Sequence, residues 1–195
     1  MFTGIITHTG AVAQKTPTTL RVCASRGIVR ALRCGGSIAV NGACITVTAK
    51  KGNSFSANVM PETVKKTNFG SLQNGDLVNL ELPATPQTFL SGHIVQGHVD
   101  TAGTVDTIKK SQNQVTLSIS VPRKFSRYIS SKGSITVNGV SLTVINARLG
   151  VFSVGIIPHT WKSTMFHTLL PKAEVNIEVD VLAKYVSKLV SIYEK

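Results

Sequence analysis

The stretches GSIAVNGACITV (36–47) and GSITVNGVSLTV (133–144) are nearly the same twelve residues written twice, 97 positions apart. The same offset lays MPETVKKTNFG (60–70) on IPHTWKSTMFH (157–167), and VNLE (78–81) on VNIE (175–178). Three matches at one unbroken offset mark a tandem duplication. Nearer the start of each copy the offset shortens to 93, pairing ITHTGAV (6–12) with VDTAGTV (99–105), so four residues were gained or lost between positions 12 and 36. The boundary between copies falls in LPATPQTFLSG (82–92), where Pro83, Pro86 and Gly92 supply breakers. The expected division is a first copy over 1–92, a second over 93–181 and a terminal segment over 182–195.

Within each copy, strand signals dominate. SIAVNGACITVTA, SFSANVM, LVNLEL, QVTLSISV, SITVNGVSLTVINA and VFSVGII are rich in Val, Ile, Thr and Phe, and Gly, Asn or Pro bounds them. Several short strands at close spacing predict an all-β fold in which each copy closes into a small antiparallel barrel. Asn41-Gly42 and Asn138-Gly139 are the strongest two-residue hairpin signals in the chain. PETVKKTNFG reads as a short helix, opened by Pro and Glu and stopped by Gly. VLAKYVSKLVSIYEK places Leu182, Tyr185, Val186, Leu189, Val190 and Tyr193 on one helical stripe, to be covered by its own barrel or by a second subunit.

At 195 residues, with 42% apolar and 15% charged residues, the chain has ample material for a buried core. Lys and Arg exceed Asp and Glu, 21 to 9, but the surplus sits in scattered pairs such as Lys50-Lys51 and Lys109-Lys110, with no long basic arm. Cys23, Cys34 and Cys44 show neither CxxC spacing nor a neighbouring His cluster, which suits a reducing cytoplasm and argues against a zinc site. The opening MFTGIITHTG has no basic region before an apolar run, and nothing approaches a membrane span.

Chemistry is sparse. Superposing the copies sets Cys44 on Ser141 and Thr46 on Thr143, so each copy offers two polar groups on one strand face. SGHIVQGHVD (91–100) holds His93 and His98, each directly after a Gly that permits close backbone approach to a ligand. No phosphate-binding glycine loop, nucleophile elbow or paired carboxylates appear.

MFTGII at the N-terminus, NGACITV, GHIVQGHVDT, KGSITVNGVSLTV, the Pro-x-Thr segments and VNIEVDVLAKYV together resemble riboflavin synthase of the alpha type, over essentially the whole chain and in the family's order. The resemblance implies two tandem six-stranded antiparallel Greek-key-type barrels and a C-terminal helix through which three chains assemble. It implies a pocket between the N-terminal barrel of one subunit and the C-terminal barrel of its neighbour. There two molecules of 6,7-dimethyl-8-ribityllumazine exchange a four-carbon unit, without metal or organic cofactor, and lumazine synthase is a further partner.

Carried over residue by residue, the resemblance makes Cys44, His98, Ser141 and Thr143 the candidate catalytic groups. Further pocket positions in the first copy are Ser37, Ile45, Thr46, Asn58, Val59, Met60, Pro61, Glu62 and Thr63. Lys132, Leu142, Gly155, Ile156, Ile157, Pro158, His159, Thr160 and Asp180 belong to the second. Gly4, Ile5 and Ile6, and Gly97 and Val99 beside His98, complete the set, with Phe2 next to the first group. Two positions depart from the common pattern: Asn138 stands where many members carry Asp, and His159 where Glu is common. A non-catalytic lumazine-binding antenna protein is the alternative, disfavoured because both halves keep their pocket residues. Single-strand nucleic-acid binding is disfavoured because only 6% of the chain is aromatic, too little for base stacking.

Overall fold

The computed structural model describes residues 1–193; positions 194 and 195 of the expected helix, and the side chains of Ile192 and Tyr193, lie outside the described residues. The first barrel comprises β1 (His8–Lys15), β2 (Thr19–Ala24), β3 (Ser37–Val40), β4 (Ala43–Lys51), β5 (Ser54–Asn58) and β6 (Leu77–Glu81). The second comprises β7 (Thr101–Lys110), β8 (Val115–Ser120), β9 (Ser134–Val137), β10 (Val140–Arg148), β11 (Val151–Ile156) and β12 (Glu174–Val179). Both close in the same order, β1-β2-β5-β4-β3-β6 and β7-β8-β11-β10-β9-β12. Every ladder is antiparallel, and closure leaves no free sheet edge. Matched bulges in β1, β4, β7 and β10 let short strands coil tightly enough to close.

Alternate residues turn inward, giving one core around Val22, Ile38, Phe55 and Leu80 and another around Leu117, Ile135, Phe152 and Ile177. The four extra residues of the second copy lengthen a hairpin. Lys15 pairs with Leu20 where Ile108 pairs with Leu117, and β7 and β8 then run on to pair Lys110 with Val115.

The helical readings hold in part. α2 (Pro61–Lys66) begins at proline as expected and its repeat α3 (Pro158–Ser163) does the same, but each ends early, at Thr67 and Thr164. These threonines are extended, and their hydroxyls accept from Phe69 N and Phe166 N to start separate 3₁₀ turns, so the Gly-terminated single helix is replaced by two pieces. α1 (Arg26–Ala31), missed in the sequence, closes the end of the first barrel with Ile28 and Val29 buried. α4 (Val181–Tyr193) leaves Leu182, Tyr185, Val186, Leu189 and Val190 exposed, between 48% and 60%, and touches its own barrel along the opposite side, where Lys184 pairs with Asp100 at 2.8 Å.

The two barrels meet about a local two-fold axis. Asn41 and Gly42, and Asn138 and Gly139, occupy the two-residue turns at positive φ, and the turns abut. A Cβ on Gly42 would lie 2.6 Å from Gly139 N, and one on Gly139 would lie 2.7 Å from Gly42 N. Around them, four asparagines are buried yet hydrogen-bonded in matched pairs. Asn79 N donates to Asn41 Oδ1 (2.8 Å) and Asn176 N to Asn138 Oδ1 (2.7 Å). Across the axis, Asn79 Nδ2 donates to Asn138 O (2.9 Å) and Asn176 Nδ2 to Asn41 O (2.8 Å). Paired amides of this kind fix one docking geometry, because any slip leaves buried polar groups without partners.

Candidate active site

On β4, Ala43 and Ile45 turn into the barrel, so alternation aims Cys44 outward; on β10, Val140 and Leu142 do the same for Ser141. The cover over these two positions comes from the other copy. Gly97, in the segment leading into the second barrel, lies on the first: Cys44 N donates to Gly97 O at 2.9 Å. Gly4, in the segment leading into the first barrel, lies on the second: Ser141 N donates to Gly4 O at 2.8 Å. Val99 accordingly packs on the core of the first barrel and Ile6 on that of the second. The leaders cross at the two-fold, where Phe2 N donates to Val95 O (2.7 Å) and Val95 N to Phe2 O (3.2 Å). Only glycine suits the contact points. Both have positive φ, and a Cβ there would sit 2.6 Å from Cys44 Cβ or 2.7 Å from Ser141 Cβ.

The exchange assembles a cavity of about 190 Å³ on the first barrel, lined by Cys44, Met60, Glu62, Thr63, His98 and Val99. Lys66 stands at the same cavity, and its ammonium, 2.8 Å from Glu62, hydrogen-bonds that carboxylate and holds it below the usual range. Pro61 opens α2 beside them, and Thr46 pairs across the ladder with both Ser37 and Asn58. Ile45 and Val59 are buried in the barrel core, so they offer a ligand their main chain and not their side chains.

On the second barrel, Ser141 Oγ lies 2.8 Å from His93 Nδ1. Burial pushes the His93 pKa below its ordinary value, and the nearby Asp180 carboxylate pulls the other way. Asp180 also caps α4, accepting from Leu182 N at 2.9 Å. Ile5, Thr143, Ile157, Pro158 and His159 are exposed around this strand and α3, with Gly155 and Thr160 half-buried. Leu142 and Ile156 are core residues. Lys132 holds a positive φ before β9, the place Gly35 takes in the first copy.

Two findings alter the sequence reading. His93 belongs with Ser141, although the resemblance carried only His98 into a site; the Gly-His pairing at 92–93, noted in the sequence, was the available signal. Asn138 is buried between the barrels and does not line the cavity at Cys44, so its departure from Asp bears on docking of the copies. Among the described residues, no group of three His, Cys, Asp or Glu side chains is placed to hold a metal ion.

The lumazine binding domain family matches twice, at residues 3–83 and 96–180. The riboflavin synthase of Actinobacillus pleuropneumoniae is 39% identical over 96% of this chain and 89% of its own length. That of Mycobacterium tuberculosis is 41% identical over 97% and 98%. Among solved structures, LumP complexed with 6,7-dimethyl-8-(1'-D-ribityl) lumazine superposes with a TM-score of 0.83 at 23% identity, covering 92% of this chain and 99% of that one. LumP complexed with riboflavin gives a TM-score of 0.85 at the same identity and coverage.

Proposed function

The chain belongs to the riboflavin synthase family of transferases, and from that premise we propose that it dismutates 6,7-dimethyl-8-ribityllumazine. Two molecules react, one giving up a four-carbon unit and the other receiving it. The products are riboflavin and 5-amino-6-ribitylaminouracil, and no atom is left over. The observation that supports the reading is a pair of related but unequal strand sites: Cys44 lines a cavity with His98 on the first barrel, and Ser141 is bonded to His93 on the second. Like molecules need like pockets, and unequal fates need unequal side chains.

Stacking two heterocycles face to face is mostly a problem of orientation, which rigid barrel strands solve by fixing approach and angle in advance. In this reading His98 takes the proton from the C7 methyl of the lumazine in the first pocket, whose ring delocalises the resulting charge. Ser141 and Thr143 hydrogen-bond the second lumazine, and neutral His93 orients the Ser141 hydroxyl. Within one chain the two pockets lie on different barrels, so the proposal includes a homotrimer in which the first barrel of one subunit faces the second barrel of the next. The uncovered stripe of α4 supports that assembly.

The test is to add 6,7-dimethyl-8-ribityllumazine alone and follow riboflavin by absorbance, beside a Cys44→Ala, His98→Ala double variant. One riboflavin per two lumazines consumed by the wild type, with the variant reduced at least about a hundredfold, is expected. Lumazine binding with no riboflavin would make the protein a chromophore carrier and overturn the proposal.

A further inference from the structure

Glu81 ends β6 and Glu178 stands at the matching place in β12; both are buried, at 6% and 2% exposure. Among the described residues, neither has a cation within ion-pair distance. Each instead accepts main-chain N–H groups. Glu178 Oε1 takes Gln96 N at 2.7 Å and Oε2 takes Gly97 N at 3.0 Å. Glu81 Oε1 takes Thr3 N at 2.7 Å and Thr3 Oγ1 at 2.8 Å, and Oε2 takes Gly4 N at 3.1 Å. A buried carboxylate without a counter-ion is costly, and burial pushes both carboxyls above their ordinary pKa. An apolar residue at these two places would suffice for packing alone.

The glycines that these carboxylates hold are the two that cover the reactive strands. Gly97 receives Glu178 at its N–H and Cys44 N–H at its carbonyl; Gly4 receives Glu81 and Ser141 N–H in the same way. One residue therefore ties a carboxylate of one barrel to the pocket strand of the other, and the arrangement occurs twice. In each case the two N–H groups are divided between the two carboxylate oxygens. Glutamine, of the same size, offers one oxygen and one NH₂, and the latter meets an N–H head-on.

We propose that Glu178 is the positioning residue of the Cys44–His98 pocket and Glu81 that of the Ser141 pocket, so that each pocket is set by a carboxylate belonging to the opposite barrel. The consequence for catalysis rests on the dismutase reading; the crossed geometry does not.

The experiment uses the full chain with Cys23→Ser and Cys34→Ser, leaving Cys44 as the sole thiol, and reads iodoacetamide alkylation of Cys44 together with amide hydrogen exchange. Glu178→Gln is expected to raise Cys44 alkylation about fivefold and exchange at Gln96, Gly97 and Cys44 about tenfold, leaving Ser141 unchanged. Glu81→Gln is expected to do the converse, speeding exchange at Gly4 and Ser141 while Cys44 alkylation stays as it was. Glu178→Asp, which keeps both oxygens but withdraws them by one methylene, is expected to show the Glu178→Gln pattern at smaller size and decides the matter if Glu178→Gln does not fold. The proposal is overturned if either variant loosens the pocket of its own barrel, or if both loosen both pockets alike. Where riboflavin is formed, Glu178→Gln is expected to lower kcat more than it raises KM. If the wild type forms none, the exchange pattern still decides the crossed geometry by itself.

Discussion

His93 stands just ahead of the leader that crosses to the first barrel, four residues before Gly97. Each pocket has an imidazole: His98 lines the first beside Cys44, while in the second the hydroxyl that replaces the thiol is bonded to His93. Burial depresses its pKa, so at neutral pH it is uncharged. The unfolded chain takes up a proton that the folded chain refuses. Stability from this residue is therefore complete above the ordinary His value, about 6.5, and is lost as pH falls below it. In thermal melts from about pH 7.5 to 5.5, the advantage of wild type over His93→Gln is expected to shrink with acidification; a constant difference would remove the burial argument. Individual site residues were legible to the extent that a local pattern marked them. Cys44, Ser141 and the glycines before each His were such cases, while the Ser141–His93 contact spans 48 positions within the second copy.

Among the elements, the Asn-Gly hairpins were the easiest to foresee, since a two-residue turn at positive φ is a local demand that few residue pairs satisfy. The sequence did not reveal that these turns meet. Gly42 and Gly139 serve the turn and also admit the other barrel's backbone, so Gly42→Ala or Gly139→Ala is expected to destabilise the fold by about 2–4 kcal/mol, read from urea midpoints. A turn in isolation would lose about 1 kcal/mol, and a measured loss that small would mean the barrels yield. The split of α2 and α3 from their 3₁₀ turns was hidden for a different reason. Nothing in their periodicity announces that Thr67 and Thr164 go extended and cap the next turn; that cap competes with continuing the helix and wins because it buries Phe69 and Phe166.

For the whole molecule, duplication was visible in the repeat, and barrel closure came from strand count and spacing. The exchange of leaders was not visible, because each leader aligns with its twin whichever barrel it rests on. α4 poses the remaining question at this scale. Val186 and Leu189 are each 59% exposed on a helix whose other side is already tied down by Lys184. Replacing both with Asp is expected to convert the proposed three-chain assembly into single chains of 20.8 kDa in sedimentation velocity, with the barrels' thermal melt little changed. An unchanged sedimentation coefficient would remove α4 from the proposed contact.

The crossed leaders also govern how this sequence is free to drift. Gly97 lies so close to Cys44, and Gly4 to Ser141, that neither glycine has room for a side chain and neither partner has room for added bulk. Related sequences should therefore keep glycine at 4 and 97 and small residues at 44 and 141, a constraint that runs between copies rather than within one. A comparison that treats the halves as interchangeable modules would average this constraint away.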